Sequence, residues 1–127
     1  MITITIPLPP KECKPNGRHH WRAKAKAVAE YRAESRDCAM AAAFQQDQRR
    51  TFSAPAVQIH YYHRTIAVMD ADNALASLKA AFDGFTDAGI WTDDRDVTFL
   101  PVRQAKDASN PRVEITIAES PEMDGLK

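Results

Sequence analysis

Asp72-Asn73-Ala74-Leu75-Ala76-Ser77-Leu78-Lys79-Ala80-Ala81-Phe82-Asp83-Gly84-Phe85-Thr86-Asp87-Ala88-Gly89 is the stretch on which the reading of the fold turns. Asp72-Asn73 bring side-chain oxygens suited to capping a helix N-terminus. Leu75, Leu78, Phe82 and Phe85 follow at spacings of three and four, which places them on one helical face. Gly89 stands where a C′ residue takes a left-handed backbone. The spacing therefore predicts a helix to about residue 88, and the next periodic segments on either side of it are strand-like.

Upstream, Val57, Ile59, Tyr61 and His63 alternate as a strand after an interruption at residues 53–55. His60 and His63 fall on opposite faces of that strand, one expected packed and the other solvated. Residues 22–50 are rich in Ala, Arg, Lys, Glu and Gln and lack Pro and Gly, which favours a long helix. Ala27, Val28, Tyr31, Cys38, Ala42 and Phe44 give it an apolar stripe. Residues 2–8 alternate with period two and stop at Pro9-Pro10, a first strand, and residues 11–21 with Pro15-Asn16-Gly17 read as loop. Downstream, residues 97–105 and 112–118 read as two strands joined by residues 106–111, most simply an antiparallel hairpin. The order βαβαββ describes one α+β domain over residues 1–118, a mixed sheet with two helices packed on it, followed by a frayed tail at 119–127.

At 127 residues there is room for one domain, and 44% hydrophobic with 27% charged residues is ordinary for a soluble globular chain. No apolar run approaches the roughly 20 residues that span a bilayer. The first residues lack the basic start and apolar core of an export signal. Cys13 and Cys38 make neither a disulfide framework nor a zinc cluster and suit a reducing, cytoplasmic setting. Membrane, secreted and zinc-finger classes are thereby set aside.

Charge is balanced at 17 basic and 17 acidic residues, yet residues 1–50 carry +5 and residues 51–127 carry −5. Eight basic residues against three acidic lie from Lys11 to Arg36, and seven aspartates lie from Asp70 to Asp96. One surface suited to an anion and another needing a cation is one reading; solvated helix faces are the plain alternative.

Asp70-Ala71-Asp72-Asn73 is the most informative acidic segment. In an extended stretch, side chains two apart point the same way, about 6.6 Å apart along the chain, and flank one hard cation. A capping role for Asp72 is the alternative. Asp93-Asp94 lie in the connection after the helix; if Asp94 joins Asp70 and Asp72, the shared charge calls for a cation. Otherwise Arg95 and Asp96 make an ordinary polar turn with them. Lys79 returns two turns later to nearly the face of Asp72, where its ammonium reaches toward the acidic cluster or instead pairs with Asp83. On the basic segment, Asn16, Arg18, His19, Arg22, Lys24 and Lys26 offer donors and cations for a DNA backbone. His19-His20 make an unsuitable metal pair, and Trp21 reads as a core or staple residue before a base wedge.

Ile6-Pro7-Leu8-Pro9-Pro10 with Asn16 downstream, Asp70-Ala71-Asp72-Asn73, Leu78-Lys79-Ala80-Ala81-Phe82-Asp83-Gly84 and Ala88-Gly89-Ile90-Trp91-Thr92-Asp93-Asp94, in that order, resemble the RusA-type Holliday junction resolvases. The resemblance spans residues 2–118. It implies a magnesium-dependent endonuclease, with manganese as the natural substitute, acting as a homodimer on four-way DNA junctions and often encoded in prophages. It implies metal ligands at Asp70, Asp72 and Asp94, with Asp93 as a neighbour, and a catalytic lysine at Lys79. Two departures stand out. Residues 63–69 hold one Arg and a Met where well-known members carry a basic run, and the stretch from Asn73 to Lys79 is about one turn longer than in some members. A branched-DNA-binding protein with little or no cleavage is the main rival; a DXD-type transferase is a second, opposed by the chain's four glycines and lack of a glycine-rich phosphate loop.

Overall fold

Ile2, Ile4 and Ile6 are buried and Thr3 and Thr5 are exposed, so the first alternation is a strand with one face on the core, β1 (Ile2–Ile6). The computed structural model describes residues 1–15, 18–66 and 69–120. After β1 come a 3-10 turn at Lys11–Cys13, helix α1 (Trp21–Gln45), strand β2 (Pro55–His63), helices α2 (Ala71–Ser77) and α3 (Lys79–Asp87), and a 3-10 turn at Asp94–Asp96. Strands β3 (Thr98–Phe99), β4 (Arg103–Lys106) and β5 (Arg112–Glu119) complete the domain. The chain is a single α+β domain built on a mixed sheet, as the order of its elements predicts.

β5 lies between β1 and β2, antiparallel to both, with Ile4 opposite Ile115 and Ile59 opposite the same residue on the other side. β3 and β4 run parallel to β2 along its far edge. The expected hairpin between residues 97–105 and 112–118 is therefore not what forms. Both edges of β5 are taken by β1 and β2, so the strand leaving α3 crosses over to the free edge of β2, as a helix between strands allows. That strand is broken at Leu100-Pro101-Val102, where Pro101 has no N–H for the ladder, although the Leu100 N–H still donates to the Val57 carbonyl at 2.9 Å.

The helix-covered face of the sheet carries Ile2, Ile4, Ile6, Val57, Ile59, Tyr61, Val113, Ile115 and Ile117, all buried. Each fully buried Ile is worth about 1.5–3 kcal/mol over its exposed state. α1 begins where His20 Nδ1 accepts the Arg22 N–H at 3.2 Å, and it ends at Gln45, short of residue 50, with Asp47 in the left-handed region at φ 55°. Its buried line is Tyr31, Ser35, Ala39 and Ala42. Phe44, expected on the stripe, is 88% exposed. Two residues beyond Ala42 it has turned about 200° around the axis, away from the core.

The predicted second helix is two. Leu78, at φ −98° and ψ 3°, ends α2 and begins α3. Its start also differs: the N-cap is Asp70, whose Oδ1 accepts the Asp72 N–H at 3.0 Å, and Asp72 lies inside the first turn. The other end matches its prediction closely. Gly89, at φ 78°, donates its N–H to Thr86 O and the Ile90 N–H reaches Phe85 O, the paired bonds of a Schellman ending. Within α3, Gly84 faces α1 so closely that a Cβ would lie 2.3 Å from Arg32 O. Arg32 also forks onto Asp87 at 2.6 and 2.8 Å, tying the two helices. β5 runs one residue beyond its expected end, to Glu119, whose carboxylate accepts the Ser53 and Ala54 N–H groups; residues 121–127 lie outside the described ones. Among the described residues no helix is long and apolar enough to cross a membrane.

Candidate active site

The connection from α3 to β3 is anchored before it delivers its aspartates. Trp91 is 1% exposed, donates its ring N–H to Thr86 Oγ1 at 2.8 Å and packs edge-on against Phe85. Phe82 bridges this cluster to Phe99 at the start of the far edge. Asp93 then closes the following 3-10 turn: its Oδ1 accepts the Arg95 N–H at 3.0 Å, and Oδ2 lies 3.4 Å from Arg95 Nε. The Arg95 backbone N–H above all holds the Asp93 carboxyl below the usual carboxylate range. Asp93 thus has a structural task, and its neighbour Asp94 is exposed.

Asp72, Lys79 and Asp94 line one groove of about 280 Å3, floored by Leu75, Phe82 and Phe99. A second groove shares Asp94 and adds Arg32, Asp83, Thr86, Thr92 and Asp93. Lys79, the first residue of α3, lies 4.0 Å from Asp83, so the alternative i,i+4 pairing is present while the side chain remains 74% exposed. The break at Leu78 does not part Lys79 from Asp72. Asp70 sits at the N-cap with Oδ1 turned onto the Asp72 N–H. The expected extended side-by-side pair of Asp70 and Asp72 is overturned, because the helix begins at Ala71 and places them in a cap and a first turn.

Among the described residues, no group of three His, Cys, Asp or Glu side chains is placed to hold a metal ion. A magnesium ion keeps several waters and takes only one or two protein carboxylates, and two is the number that line this groove.

On the basic segment, Arg18, Arg22, Lys24 and Lys26 are exposed, His19 is half-buried, and Asn16 lies outside the described residues. Lys26 lies 3.9 Å from Glu30. Trp21 is 68% exposed, in contact with the His20 ring and with the Arg22 guanidinium over its own ring, and so is no core residue. It opens α1 at the helix's solvent end, before the buried line begins at Tyr31. Residue-by-residue reading also missed a cleft of about 580 Å3 between the proline-rich loop and the end of β2, where Lys14, His63 and Arg64 meet Tyr61 and Met69. His63 is buried there and His60 is half-buried on the other face. Nothing in the spacing links Lys14 to Arg64; only the fold does.

Fold and groove together define a small α+β protein whose helices present acidic and cationic side chains around an aromatic floor. The chain matches the family model described as Endodeoxyribonuclease RusA over residues 9–118. It is similar to an uncharacterized protein of Xylella fastidiosa (strain Temecula1 / ATCC 700964), 32% identical over 117 residues, covering 92% of this chain and 76% of that protein. The chain belongs to the RusA endodeoxyribonuclease family. Membership implies a Holliday junction resolvase-type endonuclease that depends on a metal ion.

Proposed function

We propose that this chain cuts four-way DNA junctions by metal-dependent phosphodiester hydrolysis. The observation that carries the reading is the common groove of Asp72, Lys79 and Asp94. Asp72 and Asp94, with Asp70 beside them at the cap, would hold Mg2+ or Mn2+. A bound divalent ion supplies Lewis acidity and a water of lowered pKa. Lys79 places a positive charge where negative charge develops on the phosphate. Phe82 and Phe99 beneath keep bulk water from one side of the groove, which strengthens these charge interactions. Arg18, His19, Arg22, Lys24 and Lys26, with Asn16, would hold the flanking backbone.

A junction with two-fold symmetry needs two matching cuts, so the active form is a homodimer related by a two-fold axis. The test is incubation of labelled synthetic junction and linear duplex with and without Mg2+ at several salt concentrations. Paired, Mg2+-dependent nicks in the junction alone support the reading. Binding without nicks would favour a junction-binding protein instead.

A further inference from the structure

Gln104, on β4, carries no sequence signal of its own, yet its side-chain amide brackets the backbone of Met69. The Met69 N–H donates to Oε1 at 2.9 Å, and Nε2 donates to the Met69 carbonyl at 2.8 Å. A neighbouring strand would offer a backbone that same pair of groups, and Met69 belongs to no strand. A third bond completes the arrangement: His63 Nε2 lies 2.7 Å from the same Oε1. Turning the amide over would set N–H against N–H and O against O at Met69. Oε1 is therefore an acceptor, and His63 carries a proton on Nε2.

The bracket lies one peptide before Asp70. Helix α2, which follows, has seven residues and buries only Ala74 and Ser77 of them. A helix that short does not hold itself. Its direction, and with it the placement of Asp70 and Asp72, is set by how the chain enters at Met69 and leaves at Leu78. Leu78 is fully buried. At the other end, Gln104 and His63 both stand on strands of the sheet, paired through β2 and β4.

We propose that Gln104, fixed by His63, is a positioning residue that sets Asp70 and Asp72 in register with Asp94. This rests on the metal-dependent reading above. Outer partners of this kind change metal affinity by about 10- to 100-fold when removed.

The test compares wild type, Gln104→Leu, His63→Phe and Asp72→Asn as purified full chains, titrated with Mn2+ alone by calorimetry, together with amide hydrogen exchange without metal. Gln104→Leu keeps the side chain's bulk and removes both bonds to Met69. Its Mn2+ affinity is expected to fall at least about tenfold, with faster exchange at Asp72 and Ala74 and unchanged junction binding in chelator. The His63 ring stacks on Tyr61, with centroids 4.5 Å apart. His63→Phe preserves a ring for that contact and is expected to shift both readouts the same way by less, and it decides the matter if Gln104→Leu does not fold. Wild-type Mn2+ affinity and unaltered exchange in both variants would overturn the positioning role and leave the metal reading standing. If wild type binds Mn2+ no better than Asp72→Asn, the metal reading itself fails, and the exchange rates still show whether Gln104 orders the start of α2.

Discussion

Asp72 and Asp94 stand on opposite sides of α3 in the chain and on the same groove in space. Neither is buried, and neither has a cation as its partner in an ion pair among those described, so folding brings two carboxylates to a groove whose lining cation, Lys79, is paired with Asp83. Such a pair gains from a divalent ion. Asp72→Asn and Asp94→Asn are each expected to lower junction cleavage by more than the roughly 100-fold limit for outer partners. Junction binding in gel shift should stay equal or tighten, since a charge that repels phosphate is gone. Mn2+ should raise the melting temperature of wild type and not of the variants; saturation at a hundredfold over Kd is worth about 2.7 kcal/mol.

Lys79→Met separates chemistry from stability. The side chain is mostly exposed and its contact with Asp83 is long, so unfolding free energy should change by less than about 0.5 kcal/mol. Cleavage at saturating Mg2+ should fall about 100- to 1,000-fold if the ammonium stabilises the developing charge. Urea unfolding and single-turnover cleavage on the same preparation decide it.

Gly84 and Gly89 make a controlled pair. At Gly84 an added Cβ meets Arg32 O at 2.3 Å and Arg36 N at 2.9 Å, both backbone atoms of α1. Gly84→Ala must force the helices apart and is expected to cost about 3 kcal/mol. At Gly89 nothing lies within 4 Å of an added Cβ, and only the positive φ resists substitution. Gly89→Ala should cost about 1–2 kcal/mol. Equal losses in urea denaturation would contradict the close approach of α1 and α3.

Acid should destabilise the fold through identifiable carboxylates. Asp87 is lowered by its hydrogen bond from Arg32, Asp93 by the Arg95 backbone N–H, and Asp107 by its hydrogen bond from Arg112. A depressed folded value means that the unfolded chain binds protons first as pH falls. The stabilisation is complete above the ordinary value of 3.8 and is lost as pH drops through the lower folded values. Stability measured from about pH 5 to pH 2 should fall, and Asp87→Asn should flatten that fall without altering its direction.

Replacing Arg22, Lys24 and Lys26 together by Ala should weaken junction binding and reduce its dependence on salt, by about 0.9 in the log–log slope for each phosphate no longer neutralised. All three are exposed near the start of α1. An unaltered slope would move the DNA to another surface, for which the cleft of Lys14, His63 and Arg64 is the obvious candidate.

Periodicity served well for several residues whose fate depends on their own element, though not for Phe44, which stands off the α1 stripe. The alternation of Ile2, Ile4 and Ile6, the face of Leu78, Phe82 and Phe85, and the left-handed Gly89 all follow from local geometry. It failed where a distant partner decides. Which edge of β2 receives the strand after α3 depends on β1 having already taken β5, a pairing across most of the chain. The cap falls at Asp70 and not at Asp72 because Asp70, Asp72 and Asn73 all suit that position, and no spacing rule chooses among them. For the site, residue types marked Asp72, Lys79 and Asp94, but only the packing of Trp91 and Phe82 brings the last beside the others. Gln104 was invisible, because a lone glutamine in a strand acquires meaning only from the backbone it faces.

The order in which the ribosome delivers this chain bears on how it reaches its native state. β5, the strand that joins β1 to the rest of the sheet, is also the last of the five to be made. Until residues 112–119 emerge, the amino-terminal strand has no ladder to join and its isoleucines no settled home. Nascent intermediates must wait with that sticky segment exposed, and closure of so long a loop slows the final step. Stalling translation just before Arg112 should leave a protease-sensitive, chaperone-seeking chain, whereas the chain released after residue 127 should be resistant.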